Sequence, residues 1–395
     1  MKLAFIIQRY GVEIIGGAEY FTRLVAEHLK EYHTIEILTT CAKGYHTWKN
    51  EYPEQYGQIN GITVRRFHNA KMRDMRVQEK LQETVFYQHH TIEDECRWIE
   101  AQGPYCPELI KYLRDHKDDY DFFVFFTYRY YPSFYGIEQV KNKSIIVPFA
   151  ENDTALDLMM TSCLFDKVQA IIYSTPEEKT LIKNRVRFND EGKVSDIIGC
   201  GIDIPSMDSE GKVPDPGNYI LYLGRIEGSK GCYQLFEYYL RLISQWDAAP
   251  DLVLAGFDAI GVPKNKKIKF VGFVSENEKI RLLKNAKILI MPSPYESFSL
   301  VTLESFACGT PVLVNGECEV LKGHCIRSNA GLWYQNYDEF KEGLMLLSSD
   351  KRLQRIIKRN GIRYICENYS WDIIEQKYLA LFQMMAAQSK KNHHS

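Results

Sequence analysis

Short runs of Val, Ile, Leu and Phe recur along this chain, each followed by a longer amphipathic stretch, and the series runs through twice. A run without a polar face reads as a strand covered on both sides, and the stretch between two such runs is the crossover helix that a parallel sheet requires. In the first series the predicted strands are 3–7, 34–38, 63–67, 122–126, 145–148 and 170–173, with helices at 18–30, 77–99, 107–115 and 176–184. The pattern then stops. Between Asp203 and Asn218 three prolines and two glycines stand in polar sequence with no hydrophobic period, as expected of a linker. A second series supplies strands at 219–223, 252–255, 268–271, 288–291 and 312–314. Ser370 suits the N-cap of a last helix from 371 to about 385, followed by a polar, frayed 389–395. The expected organisation is an α/β domain over 1–204, a linker over 205–217, a second α/β domain over 218–370 and a closing helical segment over 371–395.

Bulk properties exclude several partners. A net charge of −2 offers no field for nucleic acid. The ten cysteines form no C-x-x-C pair, so neither zinc nor a disulfide framework is expected, and reduced thiols point to the cytoplasm. The run Met1–Ile7 meets Gln8-Arg9 too early for a secretory leader, and no stretch approaches the roughly 18 apolar residues of a membrane span. His89-His90 with Glu93–Glu95 present no ligand face, so no metal is expected. The basic stretches 71–76 and 351–363 read first as solvated faces and second as patches for peripheral contact with the inner face of a membrane.

Three loops carry the candidate chemistry. After predicted strand 288–291, a loop containing Glu296 leads into a helix that starts near Ser297–Ser299 and stops at Gly309 with Pro311 beyond. Amides around Leu300, Val301 and Thr302 would meet an anion with the positive end of the helix dipole, as a diphosphate requires. Glu296 and Glu304 stand eight residues apart, at most about 12 Å along a helix, so a carboxylate acceptor lies at each end of the amides. The second loop, Gly224-Arg225 to Lys230-Gly231, follows strand 219–223, and its two cations would neutralise a departing diphosphate in place of a metal; alone, they read equally as a solvated loop. The third, Gly16-Gly17-Ala18-Glu19, lets a ligand approach its backbone or is an ordinary turn; it is not the G-x-G-x-x-G pattern of nicotinamide binding. Tyr128, Tyr130, Tyr131, Phe134 and Tyr135 read either as an acceptor surface or as core.

On these residues the chain resembles the family-four retaining glycosyltransferases, whose mark is Glu, seven residues, Glu, here Glu296 and Glu304. Asn60–Val64, Gly199–Asp203 and Ser370-Trp371-Asp372 extend the resemblance over nearly the full length. The resemblance implies the GT-B fold, two Rossmann-like domains facing each other across a cleft, with the last helix crossing back to the first domain. It implies that Arg225 and Lys230 hold the diphosphate, Glu304 the ribose and Glu296 the donor sugar, while amides from Phe298 through Ser299 to Thr302 touch sugar and phosphate oxygens. The implied reaction is metal-independent and retaining, from a nucleoside-diphosphate sugar to a glycan, lipid-linked or protein acceptor. One position departs from the family: relatives often carry His where Ala150-Glu151-Asn152-Asp153 has Glu151, which reads as a hydroxyl acceptor or a solvated cap. Other activities of the fold, an epimerase or a phosphorylase, and a sugar-nucleotide-binding subunit without catalysis are the competing readings.

Overall fold

The computed structural model describes residues 1–14, 16–205 and 217–392, so most of the predicted linker lies outside the described residues. The chain divides into two compact units, Met1–Cys200 with Ile374–Ser395, and Gly201–Ile373.

The first unit is built on eight strands: β1 (Lys2–Ile6), β2 (Thr34–Thr40), β3 (Tyr56–Ile59), β4 (Ile62–Phe67), β5 (Phe122–Phe126), β6 (Ser144–Val147), β7 (Ala170–Tyr173) and β8 (Val194–Ile197). Their order is β3-β4-β2-β1-β5-β6-β7-β8, parallel except for the β3–β4 hairpin. All five residues of β5 are buried, as a strand covered on both faces demands. Asn60 and Gly61, both at positive φ, close the hairpin, which accounts for the Asn60–Val64 motif as a turn. Strand order reverses between β1 and β5, so the crevice at their carboxyl ends is where a ligand of this unit would sit.

The predicted helix 77–99 is two helices, Met75–Tyr87 and Ile92–Gln102. Thr91 breaks it: its hydroxyl accepts from the Asp94 amide while the Asp94 carboxylate accepts from the Thr91 amide, so a new helix starts there. Fully buried Glu95 accepts from the Met159 and Met160 amides at 3.2 and 2.7 Å, anchoring the start of an unpredicted helix, Met159–Lys167. A second unpredicted helix, Tyr131–Val140, follows β5 and takes most of the aromatic group into packing: Tyr128 and Tyr131 are buried, and Tyr131 meets Tyr135 with ring centroids 4.6 Å apart. The last helix runs Trp371–Asn392, past the expected end near 385 and through much of the tail expected to fray. Leu381, Phe382 and Met385 are buried, and the Gln388 amide donates to the Gly192 carbonyl at 2.6 Å, which holds the extra turns.

Glu178, fully buried at the start of helix Pro176–Arg185, accepts from the Ala150 amide at 2.6 Å and the Ser174 amide at 2.5 Å. Burial pushes its carboxyl up to about 7, against the pull of those amides. The folded chain therefore holds this proton more tightly than the unfolded one, and stability should fall as pH rises from about 4.5 to about 7. Glu178→Gln is expected to flatten that slope in melting temperature against pH; an unchanged slope would show that the group does not titrate there.

The second unit carries β9 (Tyr219–Leu223), β10 (Asp251–Ala255), β11 (Ile268–Gly272), β12 (Ile288–Met291), β13 (Val312–Asn315) and β14 (Gly331–Tyr334). All pairings are parallel in the order β11-β10-β9-β12-β13-β14, the doubly wound arrangement, with the reversal between β9 and β12.

Candidate active site

Two loops leave the carboxyl ends of β9 and β12, the strands flanking that reversal. In the first, the Tyr222 hydroxyl donates to the Arg225 carbonyl at 2.6 Å, Arg225 pairs with Glu227 at 3.1 Å, and the Ser229 hydroxyl donates to the other Glu227 oxygen at 2.6 Å. Lys230 then reaches the second loop: its Nζ lies 2.9 Å from Glu296 Oε1 and 3.3 Å from the Tyr295 carbonyl. The approach depends on Gly231, at φ 74°, where a Cβ would stand 2.1 Å from the Pro292 carbonyl oxygen.

Beyond Glu296 the chain turns sharply. Ser299 sits in the left-handed region at φ 63°, ψ 71°, immediately before helix Leu300–Ala307. A left-handed residue followed by a helical one turns successive amides into one concavity, a nest for an anion. The Ser299, Leu300 and Val301 amides have no acceptor among the described residues. The Ser299 hydroxyl is instead occupied with Thr302 Oγ1 at 2.9 Å, so the side chain leaves the amides uncovered.

Glu304, one helical turn further in, has one carboxylate oxygen 2.6 Å from Lys279 Nζ and the other buried without a hydrogen-bond partner among the described residues. Burial pushes its carboxyl above the usual range while Lys279 pulls it down. A buried acceptor in that condition fits a hydroxyl donor from a ligand. Among the described residues no group of His, Cys, Asp and Glu is arranged to hold a metal ion.

Of the candidates read from sequence, the structure joins Lys230 to Glu296 and sets Gly224, Arg225, Phe298, Ser299, Leu300, Val301, Thr302 and Glu304 along the same two loops and helix of this unit. Gly16, Gly17 and Glu151 belong to the other unit. At Gly16 a Cβ would lie 2.1 Å from Glu19 Oε2, and Glu19 is buried against Arg9 at 2.6 Å, so this glycine is explained by an internal ion pair. At Gly17 a Cβ would meet nothing within 4 Å, leaving the backbone open. Glu151 follows β6; two residues on, Asp153 pairs with Arg129 at 2.5 Å and accepts from the Tyr128 hydroxyl at 3.1 Å. Gly201 and Trp371 pack together, a Cβ at Gly201 falling 2.2 Å from the indole, so two motifs of the resemblance meet as packing partners. Sequence reasoning missed Glu227, Lys279 and His324. Glu227 stood two residues from Arg225, whereas Lys279 and His324 reach the site from distant helices and leave no local trace.

Residues 203–364, which contain both loops, match the family model for glycosyl transferases group 1. The match falls wholly within the second unit. A further match is an uncharacterized glycosyltransferase of Methanocaldococcus jannaschii, 30% identical over 188 residues, 44% of this chain and 46% of that protein. The matched stretch thus spans less than half the length of the curated relatives. Among solved structures, sucrose-phosphate synthase from Thermosynechococcus elongatus superposes with a TM-score of 0.69 at 16% identity over 98% of this chain and 99% of that one. The Anabaena protein HepE in complex with UDP-glucose superposes with a TM-score of 0.65 at 15% identity, over 98% of this chain and 100% of that one. The fold is the two-domain α/β GT-B fold. Among the described residues, no helix is long and apolar enough to cross a membrane.

Proposed function

We propose that the group 1 domain binds a nucleoside-diphosphate sugar, and that the protein transfers the sugar to an acceptor hydroxyl with retention and without a metal. The observation that carries this reading is the Lys230–Glu296 pair standing beside a three-amide nest, with a partnerless Glu304 oxygen further along the same helix. The nest takes diphosphate oxygens, Glu304 accepts from a ribose hydroxyl, and Glu296 accepts from a hydroxyl of the sugar. Lys230, freed by that exchange, turns with Arg225 to the diphosphate. In the transfer, the bond from C1 to the diphosphate oxygen breaks and the acceptor oxygen bonds C1 on the same face. The acceptor proton leaves on the diphosphate, so no protein nucleophile is consumed. That a protein of this fold, HepE, is described in complex with UDP-glucose supports a nucleotide-sugar donor here.

The test is a thermal-shift panel of UDP-, GDP-, ADP- and dTDP-sugars with chelator present. One donor is expected to raise the melting temperature, since a ligand at about 100 times its Kd adds about 2.7 kcal/mol. Stabilisation that appears only with added divalent metal would overturn the role given to Arg225 and Lys230.

A further inference from the structure

At the Phe298 carbonyl, immediately before the nest, ends a polar chain that the proposed reaction does not use. His324, in helix Glu319–Ser328, is fully buried, with Nε2 3.0 Å from the Phe298 carbonyl oxygen and Nδ1 3.2 Å from the Tyr364 hydroxyl. The Tyr364 oxygen lies in turn 3.1 Å from Arg327 Nε. A carbonyl only accepts, so Nε2 carries the hydrogen. Burial first, and Arg327 second, push the imidazole down to about 3, so the ring is neutral and Nδ1 is a bare acceptor. The Tyr364 hydroxyl donates to it, Arg327 Nη2 also stands 3.4 Å from it, and the Tyr364 oxygen receives the Arg327 Nε–H. Every proton in the chain has one direction.

The carbonyl held at the end of this chain belongs to the Phe298–Ser299 peptide. In a trans peptide the C=O and N–H point to opposite sides. Fixing the Phe298 oxygen inward on His324 therefore turns the Ser299 N–H outward, beside the Leu300 and Val301 amides. Ser299 holds a left-handed backbone that a non-glycine residue keeps only when its surroundings enforce it, and the anchored carbonyl immediately before it is one such restraint.

We infer that His324 is a positioning residue for diphosphate: by fixing the Phe298 carbonyl it aims the Ser299 amide at the phosphate oxygens. The inference rests on the reading of this nest as the diphosphate site. A buried histidine that only filled the core would support all parts of a bound nucleotide alike; one that aims a peptide acts on the phosphates alone.

Calorimetric titration separates the two, using the nucleoside diphosphate that stabilises the wild-type chain and its parent nucleoside. His324→Leu is expected to weaken the diphosphate about tenfold, the worth of one hydrogen bond to a charged group, with the nucleoside unchanged. His324→Gln, whose side-chain amide can still donate to the carbonyl, should return to within about threefold of wild type. Equal losses for both ligands, no loss, or no recovery with glutamine overturns the assignment. Should the leucine variant not fold, His324→Phe keeps an aromatic ring in the core and removes the donor to the Phe298 carbonyl; a loss of about tenfold confined to the diphosphate is expected, and wild-type affinity refutes the assignment. A wild-type protein that binds no nucleoside diphosphate removes the reading of the site itself, and with it this inference.

Discussion

Lys230→Ala is expected to lower kcat about 100-fold, the cost of one preorganised group facing charge that develops in the transition state. Lys230 is the cation that the structure places against the second loop, 2.9 Å from Glu296, both side chains being about one-fifth exposed or less. Its removal leaves Glu296 without that partner, but the pair is still reached by water, so the stability change should stay within about 1 kcal/mol. The two effects are separable: steady-state kinetics should show the loss in kcat while the melting temperature barely moves. An unchanged kcat, or an effect confined to KM for the acceptor, would remove Lys230 from the reaction.

Gly231→Ala should be damaging in a different way. The glycine is left-handed, and the atom in its way is main chain: the Pro292 carbonyl oxygen 2.1 Å from a Cβ, with Pro292 Cβ at 3.2 Å. No rotamer relieves that contact, so the loop after β9 must withdraw from the loop after β12. Backbone strain and overpacking together make a cost of about 3 kcal/mol reasonable, and a melting temperature lower by roughly 6–12 °C follows for a unit of this size. Donor affinity should fall as well, because Lys230 moves with the loop. Gly17→Ala is the contrast: with open space around it and a place at a helix start, it should keep or slightly raise stability. If both alanine variants melt alike, the contact between the two loops is not what holds them.

What the sequence revealed follows how each element is buried. Predicted strands 122–126 and 288–291 coincide with β5 and β12, which lie inside their sheets and are apolar throughout. The strands missed, β3, β8 and β14, are all edge strands, where one side of the backbone is unpaired and no continuous apolar run is required. Asn60-Gly61 was the available sign of β3, and Thr91 with Asp94 the available sign that helix 77–99 would break. The two loops of the candidate site were legible because glycines, cations and a helix start fall within a few residues of one another directly after predicted strands. Their supports were not. Lys279 lies 25 residues from Glu304 and His324 lies 26 from Phe298, and nothing in a hydrophobic period says which buried side chain will meet which loop.

The first unit closes with a segment synthesised long after its sheet. Ile374 onwards packs with Met1–Cys200: Glu375 accepts from the Tyr32 hydroxyl at 2.8 Å and lies 2.9 Å from His28 Nδ1, Tyr378 donates to the Gly199 carbonyl at 3.2 Å, and the Phe382 ring lies 5.5 Å from that of His33. A ribosome that has finished the N-terminal sheet must make the whole intervening unit before this covering helix emerges. At roughly 5–20 residues per second the sheet would wait on the order of ten seconds or more with that face bare. During biogenesis this is the surface a chaperone would find, and a nascent chain stalled before Ile374 would be the form most prone to aggregate.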